Sequence, residues 1–236
     1  MSSPAPSSAP TPRLPILNPE AVPVTGVDDH LPAVSPARLT PAALRERFTD
    51  ARDWEHEIPG DGGLFATRAP AQAAVLIPLV MRESGVTVLL TRRTAHLRSH
   101  AGQISFPGGA TEPEDGSSEA TALRETMEEI GLAAEHIQIL GRLPEYVTVT
   151  AFHVTPVVAL ITPPFELKLD AFEVAEAFEV PLEFLMNPAH HRRHLYEFEQ
   201  DGQVKMRSFL SMPFGDYFIW GATAAMLRNL YRYLSA

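Results

Sequence analysis

The chain has 236 residues, is 45% hydrophobic, contains no cysteine and carries a formal net charge of −10. That length can bury the core of one domain with an extension, while the missing cysteine excludes a disulfide framework, a thiolate nucleophile and any thiolate-held zinc or iron–sulfur site. The acidic balance argues against nucleic acid as a partner. No apolar run approaches the roughly 18 residues of a membrane-spanning helix, and the first residues lack the basic-then-apolar order of a secretory signal, so a cytoplasmic protein with no membrane partner is expected.

Many of the 22 prolines lie between Ser2 and Pro41, among Ser and Ala. Such a stretch buries too little surface to offset its ordering entropy, so residues 1–36 are expected to be a mobile tail and residues 37–236 the folded domain. Thr40 can cap a helix that has Pro41 in its first turn and Leu44, Phe48 and Ala51 at helical spacing. Ala73 to Met81 and Val86 to Thr91 are apolar runs flanking a turn, which predicts a hairpin. Ile137 to Leu140 and Phe152 to Ile161 read as further strands. Glu173 to Phe178 reads as a short helix, and Pro181 opens another through Met186. Asp201-Gly202 is a tight-turn pair between Leu195–Glu199 and Val204–Leu210, a second hairpin. His190 to His194, just before it, reads as a surface turn. Gly221 to Leu234 is an amphipathic helix with Ala224, Leu227, Leu230 and Leu234 on one face. Helices interleaved with strands and hairpins predict an α/β or α+β fold, a mixed sheet covered by helices.

The negative charge is concentrated. Residues 111–131 hold seven carboxylates against one arginine, Arg124, a net −6 of the total −10. The segment reads as a loop, Phe106-Pro107-Gly108-Gly109, followed by a helix capped by Asp115, Ser117 or Ser118 and ended by Gly131. Its buried stripe is expected to be Ala120, Leu123, Met127 and Ile130. Glu125, Glu128 and Glu129 then project together from the other side. Like charges one turn apart repel. Either the face is a solvated acidic surface, or a hard divalent cation sits among the carboxylates, as Mg²⁺ does with oxygen ligands.

Arg124-Glu125-x-x-Glu128-Glu129-x-Gly131-Leu132, behind Gly109, resembles the second half of the Nudix box. The interval from Gly109 to Arg124 is one residue longer than the family pattern, Asp115 stands where a glutamate is expected, and Thr126 occupies a bulky aliphatic position. The run Leu89-Leu90-Thr91-Arg92-Arg93, continuing through Arg98 and Gly102 to Phe106-Pro107-Gly108-Gly109, looks like the signature of the coenzyme A pyrophosphatase branch, with Thr94 in place of Ser or Ala. Phe152 to Val157 and Ile219 to Ala224 also look like that branch. The resemblance spans about residues 40–235 and leaves the tail outside.

The resemblance implies a Nudix-type α/β/α sandwich around a mixed β-sheet, and hydrolysis of a nucleoside diphosphate linked to another group. Coenzyme A or its thioesters would give 3′,5′-ADP and 4′-phosphopantetheine or its acyl form. Another nucleoside diphosphate such as ADP-ribose, or a dinucleoside polyphosphate, is the alternative substrate, and a non-catalytic nucleotide-binding Nudix module is the alternative class. Glu125, Glu128 and Glu129 match the family's metal-binding positions, with a backbone carbonyl at Gly109 as a further ligand and Mg²⁺ or Mn²⁺ as the ion. Arg124 matches the arginine that orients the box carboxylates. Catalysis falls to Glu128, Glu129 and Arg124, with Glu173 as candidate base beside Asp115, Glu145 and Glu176. Arg93 and Arg98 match the branch signature and, with Gly108 and Gly109, are expected to bind substrate; arginine's planar fork suits phosphate. Arg92 reads as an outward strand residue, and Trp220 as structural. The partner implied is a small-molecule nucleotide of the coenzyme A class, with a homodimer left open.

Overall fold

The structure, a computed structural model, describes residues 16, 18–50, 52–61, 70–96, 101–200 and 202–236. In chain order the elements are β1 (Val24–Val27), α1 (Pro41–Thr49), β2 (Ala71–Arg82), β3 (Gly85–Arg93), β4 (Ile104–Ser105), β5 (Gly108–Ala110), α2 (Ser118–Ile130), β6 (Ile137–Arg142), β7 (Tyr146–Val147), β8 (Phe152–Ile161), β9 (Val174–Pro181), α3 (Leu182–Leu185), β10 (Arg192–Gln200), β11 (Gln203–Phe214), β12 (Tyr217–Trp220) and α4 (Gly221–Ser235).

The larger sheet runs β4-β3-β2-β8-β6, with β5 on β2, β7 on β8 and β9 on β3. It is mixed: β2 and β8 are parallel over Ala71–Val80 and Phe152–Ile161, and the other pairs are antiparallel. The period of two along its central strands sorts the core into two layers. Ala74, Leu76 and Val80 of β2, with Val157, Ala159 and Ile161 of β8, pack against Ala122 and Ile130 of α2. Ile77 and Leu79, with Val158 and Leu160, face the opposite way, toward Leu44 of α1 and Leu227 and Leu230 of α4. Helices therefore cover both faces of a mixed sheet, the three-layer arrangement expected. A second, antiparallel sheet, β1-β10-β11-β12, leads into α4.

Three expectations are corrected. Residues 18–36 do not belong to a mobile tail. Val24 to Val27 pair with Arg192 to His194, Val22 and Val34 are buried, and Tyr231 OH donates to the Pro32 carbonyl at 2.8 Å. Asp28, 2% exposed, accepts two hydrogen bonds from Arg193 at 2.7 and 2.8 Å and lies 3.1 Å from Arg228. Edge pairing and a buried ion pair thus order a segment whose composition alone predicts disorder. Residues 1–15 lie outside the described residues.

Glu173–Phe178 is not a helix. It enters β9, paired with Thr87 to Arg93 of β3, with Val174 and Val180 buried at strand spacing. The free edge of β3 provides backbone partners that a six-residue helix would lack. His190–His194 is not a surface turn either. His191 and His194 are buried at 0% and 2% exposure. His191 Nε2 donates to the Leu185 carbonyl at 2.7 Å while its Nδ1 accepts from Arg228 at 3.0 Å, and His194 bridges the Val22 carbonyl and Ser211 Oγ.

Candidate active site

The site is built where β3, the glycine loop and α2 meet. Ser117 caps α2 by accepting from the Ala120 N–H at 3.2 Å, and Gly131 ends it with φ of 67°. The helix is turned differently from the expected stripe. Met127 is 54% exposed, while Thr121, Ala122, Thr126, Glu129 and Ile130 are buried. The buried edge, which lies against β2 and the short strand β5, combines small and polar side chains with Ala122 and Ile130 of the core. The three glutamates consequently divide. Glu129 is buried, Glu125 mostly so with 17% of its side chain exposed, and Glu128 is 58% exposed.

Two glycines permit this approach. At Gly108, φ is +154°, and a Cβ would lie 2.4 Å from the Ala74 carbonyl oxygen; at Gly109 it would lie 2.5 Å from the Glu125 carboxyl. The Gly108 N–H donates to Glu129 Oε2 at 3.3 Å. Burial pushes the Glu129 carboxyl up to about 7; the charges of Glu125 and Glu173 add to the rise, while the Gly108 N–H and Arg93 oppose it. Burial likewise raises Glu125, against the pull of Arg124.

Arg124 is the organiser. Its Nε and Nη2 grip Asp115 at 3.0 and 2.9 Å, Nη1 donates to Glu125 and Glu128 at 3.0 Å each, and Nη2 also donates to the Ala110 carbonyl at 3.0 Å. The fork holds Asp115 well below the ordinary carboxylate range. Asp115, in the position where a glutamate was expected, is thus a partner of Arg124.

Arg93 and Arg92, adjacent in sequence, part company at an irregularity in the β3–β9 register. A bulge re-aims side chains in this way. Arg92 pairs with Glu176 at 2.9 Å and lies over the Tyr217 ring. Arg93 turns into the site, with Nη1 3.7 Å from Glu129 Oε1 and Nη2 3.8 Å from Glu173 Oε2. Glu173 is therefore brought to the cluster. Glu176 is tied to Arg92, and Glu145 faces His153 at 3.2 Å. Arg98 lies outside the described residues.

As arranged, no three carboxylate or imidazole groups among the described residues converge on one point, and Arg124 engages both Glu125 and Glu128. The donor chemistry nonetheless fits a hard divalent cation. Glu125 and Glu129, one helical turn apart, are desolvated carboxyls whose charged forms lack sufficient compensation, and the missing Cβ at Gly109 lets the strand lie directly against the Glu125 carboxyl. Rotation of Glu128, which is mostly exposed, would complete an oxygen set.

Beyond the glycine loop opens a cleft of about 670 Å³, lined by Arg93, Gly108, Gly109, Thr148, Arg207 and Trp220 among others. Trp220 also packs edge-on against Phe209 at 5.4 Å, so its expected structural role holds while one side meets the cleft. Sequence reasoning missed Arg207 and Asp61, which line the same cleft and lie 3.5 Å apart. The only signal was alternation along β11, which puts Arg207 on the same inward side as buried Phe209.

The NUDIX domain family model matches residues 70–201. The chain is 44% identical over 159 residues to "Uncharacterized Nudix hydrolase NudL" of Enterobacter sp. (strain 638), covering 67% of this chain and 80% of that one. It is 40% identical over 164 residues to the protein of the same name from Yersinia pestis (strain Pestoides F), covering 70% and 80%. Among solved structures, the Nudix hydrolase RenU from M. smegmatis is similar, with 24% identity, a TM-score of 0.41 and coverage of 48% of this chain and 71% of that one. Family model and relatives together establish that the chain belongs to the Nudix family of hydrolases.

Proposed function

We propose that this Nudix hydrolase cleaves the diphosphate of coenzyme A or its thioesters, giving 3′,5′-ADP and 4′-phosphopantetheine or its acyl form. The observation that carries this reading is the meeting of two separated motifs. The Leu89-to-Gly109 signature, through Arg93 and the glycines, abuts the Arg124-to-Glu129 box in a single cluster. Nudix hydrolases use divalent metal ions. Here the ion would be Mg²⁺ or Mn²⁺, held by Glu125, Glu128 and Glu129.

Bound there, it would neutralise diphosphate charge and lower the pKa of a coordinated water. Arg93 binds a phosphate oxygen, and Arg98 follows it in the same signature. Gly108 and Gly109 let the backbone close on the substrate without a clashing Cβ. Arg124 keeps the carboxylates oriented, a positioning role. Glu173, with 43% of its side chain exposed, accepts the proton of a water that attacks one phosphorus as the anhydride P–O bond breaks.

The test is incubation with coenzyme A and Mg²⁺ or Mn²⁺, with product identification. Release of 3′,5′-ADP is expected. Intact coenzyme A alongside rapid cleavage of ADP-ribose or a dinucleoside polyphosphate overturns the substrate and keeps the chemistry.

A further inference from the structure

Among the described residues, two arginines line the cleft beyond the glycine loop, with different surroundings. Arg93 stands between Glu129 and Glu173, at 3.7 and 3.8 Å, on the side where a diphosphate must lie to be cut. Arg207 enters from the other sheet. It sits on β11 opposite Tyr196 of β10, with 19% of its side chain exposed, so it is held against the body rather than extended into solvent.

The carboxylate lining the cleft among the described residues is Asp61, and it is already engaged. Its Oδ1 accepts from Tyr146 OH at 2.7 Å and its Oδ2 from the Val149 N–H at 3.1 Å. Arg207 Nη2 stays 3.5 Å from Oδ1, beyond the usual N–H···O length. Asp61 thus fixes the Tyr146–Val149 wall and holds Arg207 loosely. A guanidinium carries five N–H donors, so most of Arg207's remain for a ligand.

We propose that Arg207 is a specificity-determining residue that binds a phosphate monoester on the substrate's ribose, separate from the diphosphate beside Arg93. This inference rests on the coenzyme A reading, since coenzyme A carries such a 3′-phosphate. The chemistry matches. A monoester presents three acceptor oxygens and close to two negative charges at neutral pH, which suits a planar fork. A protein of net charge −10 repels a polyanion except where local cations reverse the field, and Arg207 supplies one such point at the cleft.

The experiment measures kcat and KM of the wild type, Arg207→Ala and Arg207→Lys on coenzyme A and on 3′-dephospho-coenzyme A, with Mg²⁺ present and thermal unfolding as the control for folding. The wild type is expected to prefer coenzyme A. Arg207→Ala should lose about 10- to 100-fold in kcat/KM for coenzyme A, chiefly through KM, as expected when a charge-assisted hydrogen bond is removed. Its activity on the dephospho form should stay within about twofold, and Arg207→Lys should fall between, because it keeps the charge and loses the fork. Equal losses on both substrates, or a wild type that does not distinguish them, overturns this inference alone. If Arg207→Ala does not fold, Arg207→Lys with undiminished preference overturns it equally. A wild type that cleaves neither compound while cleaving another nucleoside diphosphate overturns the coenzyme A reading itself, and this inference with it.

Discussion

Glu129 accepts a hydrogen bond from the Gly108 backbone at 3.3 Å while only 7% of its side chain is exposed. One N–H and a more distant Arg93 do not compensate its desolvation, so its carboxyl rises from 4.5 to about 7. A carboxyl raised in the folded state contributes stability that is full below the unfolded value and is lost as pH rises through the folded one. In metal-free protein the loss runs from about pH 4.5 to about pH 7. Glu129→Gln should remove it. In chelator, the variant should be more stable than the wild type above pH 7, by up to about 3 kcal/mol at 1.36 kcal/mol per unit. The gain should fade by pH 4.5. The same variant should have no measurable turnover and lose the thermal shift that Mg²⁺ or Mn²⁺ gives the wild type. Denaturant titrations across pH, with and without metal, check all three. A fully active, well-folded variant contradicts the assignment of Glu129.

The two adjacent glycines should fail in different ways. A Cβ at Gly108 meets backbone, the Ala74 oxygen at 2.4 Å and the Val75 Cα at 2.6 Å, with φ at +154°. Gly108→Ala should therefore destabilise the fold, by on the order of 1–3 kcal/mol or more, as a strained backbone position does. At Gly109 the obstacle is the movable end of Glu125. Gly109→Ala should leave the melting temperature nearly unchanged and push the Glu125 carboxyl off its place, with a loss of about 10- to 100-fold in kcat/KM. Thermal melts beside kinetics separate the two effects.

Much of this was legible in the sequence because local patterns and global packing agree there. The β2–β3 hairpin, β8 and α4 carry their own periodicity, α2 carries its Ser117 cap and Gly131 stop although its stripe pointed to Met127, and the Arg124-to-Glu129 spacing fits one helix whatever surrounds it. The rest depended on distant partners. Glu173 to Phe178 looks helical alone but becomes strand because β3 has a free edge. His191 looks like a surface residue until Arg228 and Leu185 close on it from elements 37 and 6 residues away. Arg207 has no motif around it, and its place in the cleft follows from how the second sheet docks.

Arg124 joins five groups with one guanidinium: Asp115, Glu112, Glu125, Glu128 and the Ala110 carbonyl. Arg124→Ala would leave these carboxylates to repel one another and Glu125 free to rotate. The expected result is a fall of about 10- to 100-fold in activity with a parallel weakening of metal affinity, the scale of losses when a partner that orients metal ligands is removed. Arg124→Lys should rescue little, because a point charge cannot make the two-pronged contact with Asp115 while also reaching Glu125. Activity titrated against Mn²⁺ concentration measures both quantities, and an unchanged metal midpoint in Arg124→Ala contradicts the positioning role.

His191 gives a pH dependence of opposite sign to that of Glu129. Burial, with Arg228 adding to it, lowers the imidazole from 6.5 to about 4, and Nδ1 is needed unprotonated to accept from Arg228. Between these values the unfolded chain binds the proton and the folded chain does not, so stability rises with pH there. The contribution is fully present above about pH 6.5 and is lost as pH falls toward 4, up to about 3 kcal/mol. The lowered carboxylates Asp28, Glu57, Asp115, Glu119 and Glu179 have unfolded values of 3.8 to 4.5, so their losses begin below the upper part of this window. His191→Asn keeps an acceptor for Arg228 without a titrating ring. It should be less stable than the wild type at pH 7.5, because the bond to the Leu185 carbonyl is lost, and the deficit should shrink as pH falls from 6.5 to 4.5. Subtracting the two denaturation profiles removes the Glu129 contribution, which both proteins share. A difference that stays flat across that interval would mean that the folded protein admits a protonated His191 as readily as the unfolded chain does.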